Sequence, residues 1–241
     1  MRPFDHPSPV IRIEPPGTAG HQTVLIPQNE VFRVRNIFED HEYGIPPHFV
    51  AAGSLTIVDI GANVGLFALY MKNLRRDSDI YCFEPVPQTV ALLRQNIKHQ
   101  ERIAIYPYAL SNRCGTAAIH LHAANSGENS LKFNKADGGR TAAVQMMDAA
   151  TAFRQIGLTY IDILKIDTEG CEVEILESLR PYLPYVGIVM AEHHTENDRR
   201  RIDGVLQGHT LFDAKVCQAQ PGLGTVKYIN ARLLQAMVGT A

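Results

Sequence analysis

"TIVDIGANVGLFALY", Thr56 to Tyr70, decides the fold. An apolar run reaches Asp59 and Ile60, passes through Gly61, Asn63 and Gly65, and resumes as "VGLFALYMKNLRR", with helical spacing. A buried strand, a glycine turn and a helix, in that order, place the turn at the carboxyl edge of a sheet, where open α/β folds bind ligands. Glycine lets the backbone approach a ligand closely, and the helix N-terminus offers unpaired N–H groups to an anion.

The same alternation continues downstream. "DIYCFEP" reads as a strand, "PQTVALLRQNIKHQ" as a helix, "RIAIYPYAL" as a strand, "YIDILKID" as a strand, "CEVEILESLRPYL" as a helix, "YVGIVMAE" as a strand and "ENDRRRIDGVLQG" as a helix. Repeated strand and helix of this length imply right-handed crossovers, hence an α/β fold with a doubly wound, mostly parallel sheet. Residues 112–146 break the rhythm with short alternating runs around "ANSGENS", which predicts a β-rich insertion. The tail, "TLFDAKVCQ" and "TVKYINARLL" around "AQPGLG", predicts a terminal antiparallel hairpin. Residues 1–50 carry "EPPG", "IPQNE" and "GIPPH"; Pro and Gly there argue against a long helix, while "TVLIP" and "VFRVRNIF" suit short strands. We read 1–50 as a lid or substrate-side extension and 51–241 as the ligand-binding domain.

Composition narrows the partners. Acidic residues outnumber basic ones by 25 to 23, and "RRR" at Arg199 to Arg201 is short and isolated, so no nucleic-acid partner is expected. The cysteines at 82, 114, 171 and 217 form no C-x-x-C pair, and neither a secretory start nor a long apolar segment is evident. Those features suit a reduced cytoplasm with no membrane partner. His120 and His122 would share a strand face without a third ligand at a recognisable spacing, so no metal site is assigned.

Glu84 ends the strand after the glycine turn, 19 residues beyond Gly65, where an acid can accept hydrogen bonds from both hydroxyls of a ribose. An adenosine-containing cofactor follows. A dinucleotide would want G-x-G-x-x-G, but Asn63 stands where the second glycine would clear room for a pyrophosphate, which disfavours an NAD-dependent oxidoreductase. S-adenosylmethionine carries a carboxylate, an ammonium and a sulfonium instead. Turn N–H groups would take the carboxylate, and Asp59 would help receive the ammonium directly or through water, or else only cap the turn.

With "VDIGANVGLFALYM", "CFEPVPQTVALLRQNI", "YPYALSN", "NSGENSL", "MMDAATAF" and "IDILKIDTEGCEVEIL" in order, the chain resembles the FkbM family of S-adenosylmethionine-dependent methyltransferases from Val31 to Glu192. "LKIDTEGCEVEIL" is similar to that family's K-[IV]-D-x-E-G-x-E signature, with Cys171 where a small residue is common. The resemblance implies a Rossmann-like class I methyltransferase fold and an enzyme that methylates a hydroxyl of a sugar or natural-product intermediate, leaving S-adenosylhomocysteine. It carries the cofactor role onto Asp59, Gly61, Asn63, Gly65 and Glu84, and onto Ala109 to Ser111 beside the adenine. It also matches Asp167 and Glu169 to the signature acids.

In this fold the strand ending at Asp167 lies beside the one bearing the glycine turn, and the strand ending at Glu192 and His193 comes next. Asp167, Glu192 and His193 are therefore the candidates for the base that takes the hydroxyl proton, in no fixed order. Lys165 and Glu169 are read as an ion pair, with Lys165 reaching the face of Asp167 only where the strand bends. A divalent ion between Asp167 and Glu192 or His193 would acidify the hydroxyl, but no ligand spacing demands one. A non-catalytic nucleoside-binding protein on the same fold is the other reading, and a homodimer is compatible with the sequence.

Overall fold

The computed structural model describes residues 9–17, 23–46, 53–122, 125–132 and 140–238. At its centre is a seven-stranded sheet. From one edge to the other it runs β5 (Ile103–Tyr106), β4 (Asp79–Phe83), β3 (Thr56–Ile60), β9 (Ile161–Ile166), β10 (Val186–His193), β12 (Gly224–Asn230) and β11 (His209–Val216). The first five are parallel, and β12 runs antiparallel to both its neighbours as the expected terminal hairpin.

Side chains alternate across these strands, and the alternation divides the core in two. Ile57, Ile163 and Ile188 point to one face, where α2 (Leu66–Leu74) and α3 (Pro87–Ile97) pack with Phe67, Leu69, Leu92 and Leu93. Val58, Leu164 and Val189 point to the other, against α4 (Ala149–Ile156), α5 (Glu172–Ser178) and α6 (Glu196–Val205) through Phe153, Ile175 and Ile202. Covering both faces explains why these strands read as continuous apolar runs. Local chemistry fixes the helix ends. Asp148 accepts the Thr151 N–H at 2.9 Å to cap α4, Gly157 closes it at φ +81°, and Thr195 caps α6 through the Asp198 N–H. The arginines at 199–201 are a solvated helix face, paired with Glu196, Asp203 and Glu177.

Two expectations change. "RIAIYPYAL" is two strands, because Pro107 has no N–H to continue a ladder: β5 stays in the main sheet, and β6 (Ala109–Ser111) joins β7 (Gly115–His120) and β8 (Thr141–Asp148) in a separate three-stranded sheet. That small sheet is the β-rich insertion. In the N-terminal segment, "VLIP" does pair as β2 (Val24–Pro27) with β1 (Val10–Ile13), but "VFRVRNIF" forms helix α1 (Phe32–Phe38), not a strand. Val34, Ile37 and Phe38 are its buried residues, a 3.6-residue spacing that outweighs strand propensity. α1 packs on α2, which brings the N-terminal segment to the carboxyl edge of the sheet, over the glycine turn.

Candidate active site

Two clefts meet above the carboxyl ends of β3, β9 and β10. The first is lined by the glycine turn from Gly61 to Val64, by Phe83, Glu84 and Pro85 at the end of β4, and by Tyr108 to Leu110. The second is lined by Phe32 and Asn36 of α1, by Glu192 and His194 at the end of β10, and by Lys215 to Cys217 of the terminal hairpin. Arg33, Glu42, Tyr43, Asp167 and Glu169 line both, so they form the wall between them.

Gly61 holds φ +77°, and a Cβ there would stand 1.7 Å from the Asp167 carbonyl oxygen, so the turn closes onto the end of β9 only with glycine. Asn63 takes φ +48°, a conformation asparagine tolerates better than most residues. Its N–H donates to Glu84 Oε2 at 3.0 Å, and the Val86 N–H donates to Glu84 Oε1 at 2.9 Å. Those two bonds hold the Glu84 carboxyl against the cleft. Burial drives its pKa up to about 7, a rise the two N–H donors only partly oppose. A buried carboxyl in this state favours a ligand that brings further donors.

Asp59 corrects the expectation of direct cofactor contact. It is fully buried and absent from the cleft walls; its register partner Lys165 stands in front of it, Nζ 3.1 Å from Asp59 Oδ1. Lys165 also donates to the Gly61 carbonyl at 2.8 Å and lies 3.7 Å from Asp167 Oδ2. Asp59 thus acts through Lys165, whose ammonium is stabilised because Asp59 and Asp167 outweigh the cost of burial. Lys165 and Asp167 share a face with no bend, as residues two apart on a strand do. The expected Lys165–Glu169 pair is not what forms. Of the adenine-flanking residues, Ala109 lines the first cleft, while Ser111 is carried off by β6, paired with Asp148, with its hydroxyl turned to Asn112.

The catalytic candidates separate by strand parity. Asp167 and Glu192 come together at the shared wall. His193 does not: it follows Val189 and Ala191 onto the opposite face, where Nδ1 lies 2.7 Å from the Gly222 carbonyl oxygen. The histidine at the site is His194, with Nε2 3.0 Å from Glu169 Oε2 and 3.2 Å from Glu192 Oε2. Burial opposes its charge, but Glu169 and Glu172 outweigh burial and hold the imidazole protonated above its usual range. Asp167 is pushed up by burial and pulled down further by Lys165 and Arg33, and it accepts the Tyr43 hydroxyl at 3.1 Å; the net direction is down. Glu192 goes strongly the other way, through burial and then through Asp167 and Glu169 beside it. Asp167 and Glu192 therefore titrate as a pair, with the proton favouring Glu192. Among the described residues, Glu169, Glu192 and His194 each bring a ligand atom within 4.8 Å of the others, a grouping different from the Asp167-centred ion that the sequence allowed without predicting.

Sequence reasoning anticipated a lid in the N-terminal segment but missed the residues that tie it down. Glu30, fully buried, accepts the Ser126 N–H at 2.6 Å and lies 3.5 Å from Asn63 Nδ2; the Ser126 hydroxyl donates to Asn63 Oδ1 at 3.1 Å. Arg33 adds a bond to Asn125 Oδ1 at 3.2 Å. The N-terminal segment, the insertion and the glycine turn are thus tied together over the first cleft. The "NE" of "IPQNE" and the polar "NSGENS" were the available signals.

A sheet in this strand order with a final antiparallel strand, a glycine turn after its first strand and an acid after its second defines a class I methyltransferase. A fibrillarin pre-rRNA processing protein of Methanococcus jannaschii shares the fold at TM-score 0.51 and 11% identity, over 95% of this chain and 84% of that one. The methyltransferase FkbM domain profile matches residues 59–214, and the chain belongs to that family. It is 23% identical over 175 residues to the 2-O-methyltransferase NoeI of Sinorhizobium fredii, spanning 65% of this chain and 69% of NoeI. It is 27% identical over 210 residues to the 31-O-demethyl-FK506 methyltransferase FkbM of Streptomyces tacrolimicus, spanning 74% of this chain and 80% of that protein. Among the described residues, no helix is long and apolar enough to cross a membrane.

Proposed function

We propose that the chain uses S-adenosylmethionine in the first cleft to methylate a hydroxyl of a small molecule in the second. The observation that carries this reading is the shared wall: a cleft bearing the buried Glu84 carboxyl opens beside one bearing a carboxyl pair, with Asp167 facing both. The residues fit the cofactor. Glu84 is placed to receive two ribose hydroxyls, the turn backbone after Gly61 to face the amino-acid end, and the Phe83 to Leu110 wall to cover the adenine. The names of NoeI and of the FK506 methyltransferase support oxygen as the acceptor atom.

Bound there, the cofactor supplies a methyl group on a positively charged sulfur. The protein's tasks are to hold the acceptor oxygen behind that carbon and to receive the hydroxyl proton as the C–O bond forms and the C–S bond breaks. Positioning supplies on the order of 7–11 kcal/mol of barrier lowering, and a well-placed base adds on the order of 10²–10⁴-fold. Of the carboxyl pair, Glu192 is the stronger base once ionised, because its pKa is the raised one. His194, lying 3.0 Å from Glu169 and 3.2 Å from Glu192, holds both carboxyls in place, and Tyr43 and Lys165 orient Asp167. Exposed Phe32 and polar Asn36 and Asn125 at the second cleft suit an acceptor with one apolar ring face and a hydroxyl-bearing rim.

Calorimetry with S-adenosylhomocysteine and with NADH tests the cofactor assignment. We expect the first to bind and the second not. Glu84→Ala should lose about 1.5–3 kcal/mol, a tenfold or greater drop, as expected for a hydrogen-bonded charge. Unchanged affinity in that variant would refute the ribose role, and binding of NADH alone would refute the methyltransferase reading of the cleft.

A further inference from the structure

Strand β11 is an edge of the main sheet, with β12 its one partner strand among the described residues. Edges of this length are usually blunted or covered, and β11 carries one such device, a β-bulge at Phe212 between Leu211 and Asp213. Yet three of the six large apolar side chains exposed among the described residues lie on it: Leu211, Phe212 and Val216, at 44, 39 and 60% exposure. The ladder shows which groups it leaves unpaired. The Cys217 N–H donates to the Leu223 carbonyl at 2.8 Å, and Lys215 and Asp213 stand opposite Thr225 and Lys227 in the same phase. In an antiparallel ladder alternate residues turn their N–H and C=O the other way, so Ala214 and Val216 present theirs to the open edge.

We propose that two copies of this chain pair through β11, antiparallel and edge to edge, centred on Ala214. That centre is the one the open groups allow: Ala214 of one copy faces Ala214 of the other, and the outward N–H and C=O of each satisfy the other's. The side chains agree with it. Asp213 of each copy falls opposite Lys215 of the other, so opposite charges meet twice across the two-fold axis, and the β-bulge at Phe212 ends the paired segment beside Val216 of the other copy. Asp213 already receives Lys227 at 2.8 Å, which leaves its other carboxylate oxygen for the second copy.

The pairing reaches the active site. Lys215, Val216 and Cys217 line the second cleft, so Phe212 of each copy would sit beside the rim of the other's cleft. The two sites would then lie at the two ends of one continuous sheet junction. This inference rests on strand geometry and stands apart from what the clefts bind.

Sedimentation velocity on the full chain, across a micromolar concentration series, should give a species of twice the monomer mass. Ala214→Pro removes the outward N–H at a position where an edge strand accepts proline, and should give a folded monomer by circular dichroism. In a Cys114→Ser, Cys217→Ser background, Ala214→Cys should cross-link two copies under mild oxidation, since residues opposed in such a pair lie about 5.5 Å apart at Cα. Thr210→Cys in the same background should not, because the proposed register sets its copies far apart. A monomer at every concentration overturns the proposal. So does a dimer that survives Ala214→Pro, or one that cross-links through Thr210→Cys but not Ala214→Cys. If Ala214→Pro does not fold, the cysteine pair decides.

Discussion

Glu84 carries the clearest electrostatic consequence in the molecule. Its carboxyl titrates at about 7 in the folded chain against an ordinary 4.5. A raised acid binds its proton more tightly in the native state than in the unfolded one, so its contribution to stability is complete below pH 4.5 and is lost as pH rises toward 7. Ribose hydroxyls donate to the ionised form, so S-adenosylhomocysteine affinity should climb from pH 6 to 8 and level off. Below 7, binding should release a proton, measurable by calorimetry in buffers of different ionisation enthalpy. Absence of proton release would mean that Glu84 does not meet the ligand as a carboxylate. Glu192 gives a second pH signature. With its pKa displaced upward, turnover should increase with pH over a range shifted above the usual carboxylate one, and Glu192→Gln should lower kcat and flatten that limb while leaving cofactor affinity near the wild-type value. Equal loss in kcat and cofactor affinity would assign Glu192 a structural role.

Among elements, the lesson concerns parity and period. "YVGIVMAEHH" shows a strand ending in an acid and two histidines, and His193 attracts notice as the residue next to Glu192. A strand alternates, however, and once Lys165 stands opposite Met190, the residues that share Asp167's face are Glu192 and His194. The register was not readable from the chain, but the two-residue period was, and it favours His194. α1 misleads in the opposite sense. Its β-branched and aromatic content suggests a strand, whereas Val34, Ile37 and Phe38 recur at the helical period. Its position matters because Glu30, just before it, ties the closing segment to Ser126 and Asn63. Glu30→Ala would strand the Ser126 N–H and the Arg33 charge, costing about 1–3 kcal/mol. A fall in melting temperature on the order of 2–4 °C per kcal/mol is expected. Limited proteolysis should also cut faster within 125–132.

For the whole molecule, sheet direction, the terminal hairpin and the insertion were legible because each depends on local periodicity and on handedness rules that leave few alternatives, while strand order followed from the family resemblance. The cofactor cleft was legible in outline, since Gly61, Asn63 and Glu84 lie at the ends of adjacent strands. The second cleft was not. Its walls come from α1, from the ends of β9 and β10 and from β11, and nothing in a one-dimensional pattern brings Phe32 to Val216. Asp59 shows the same limit: the motif marks it as a contact, and only the register reveals Lys165 interposed.

Because Arg33, Glu42 and Tyr43 border both clefts, a guest in either one restrains side chains that the other guest also needs. The first ligand to arrive meets the cost of ordering them, and the second finds them already set. The affinities of spent cofactor and methylated product should therefore be thermodynamically linked, each tightening the other by one common factor. Calorimetric titration of each ligand against protein saturated with the other would measure that factor twice, and the two values must agree.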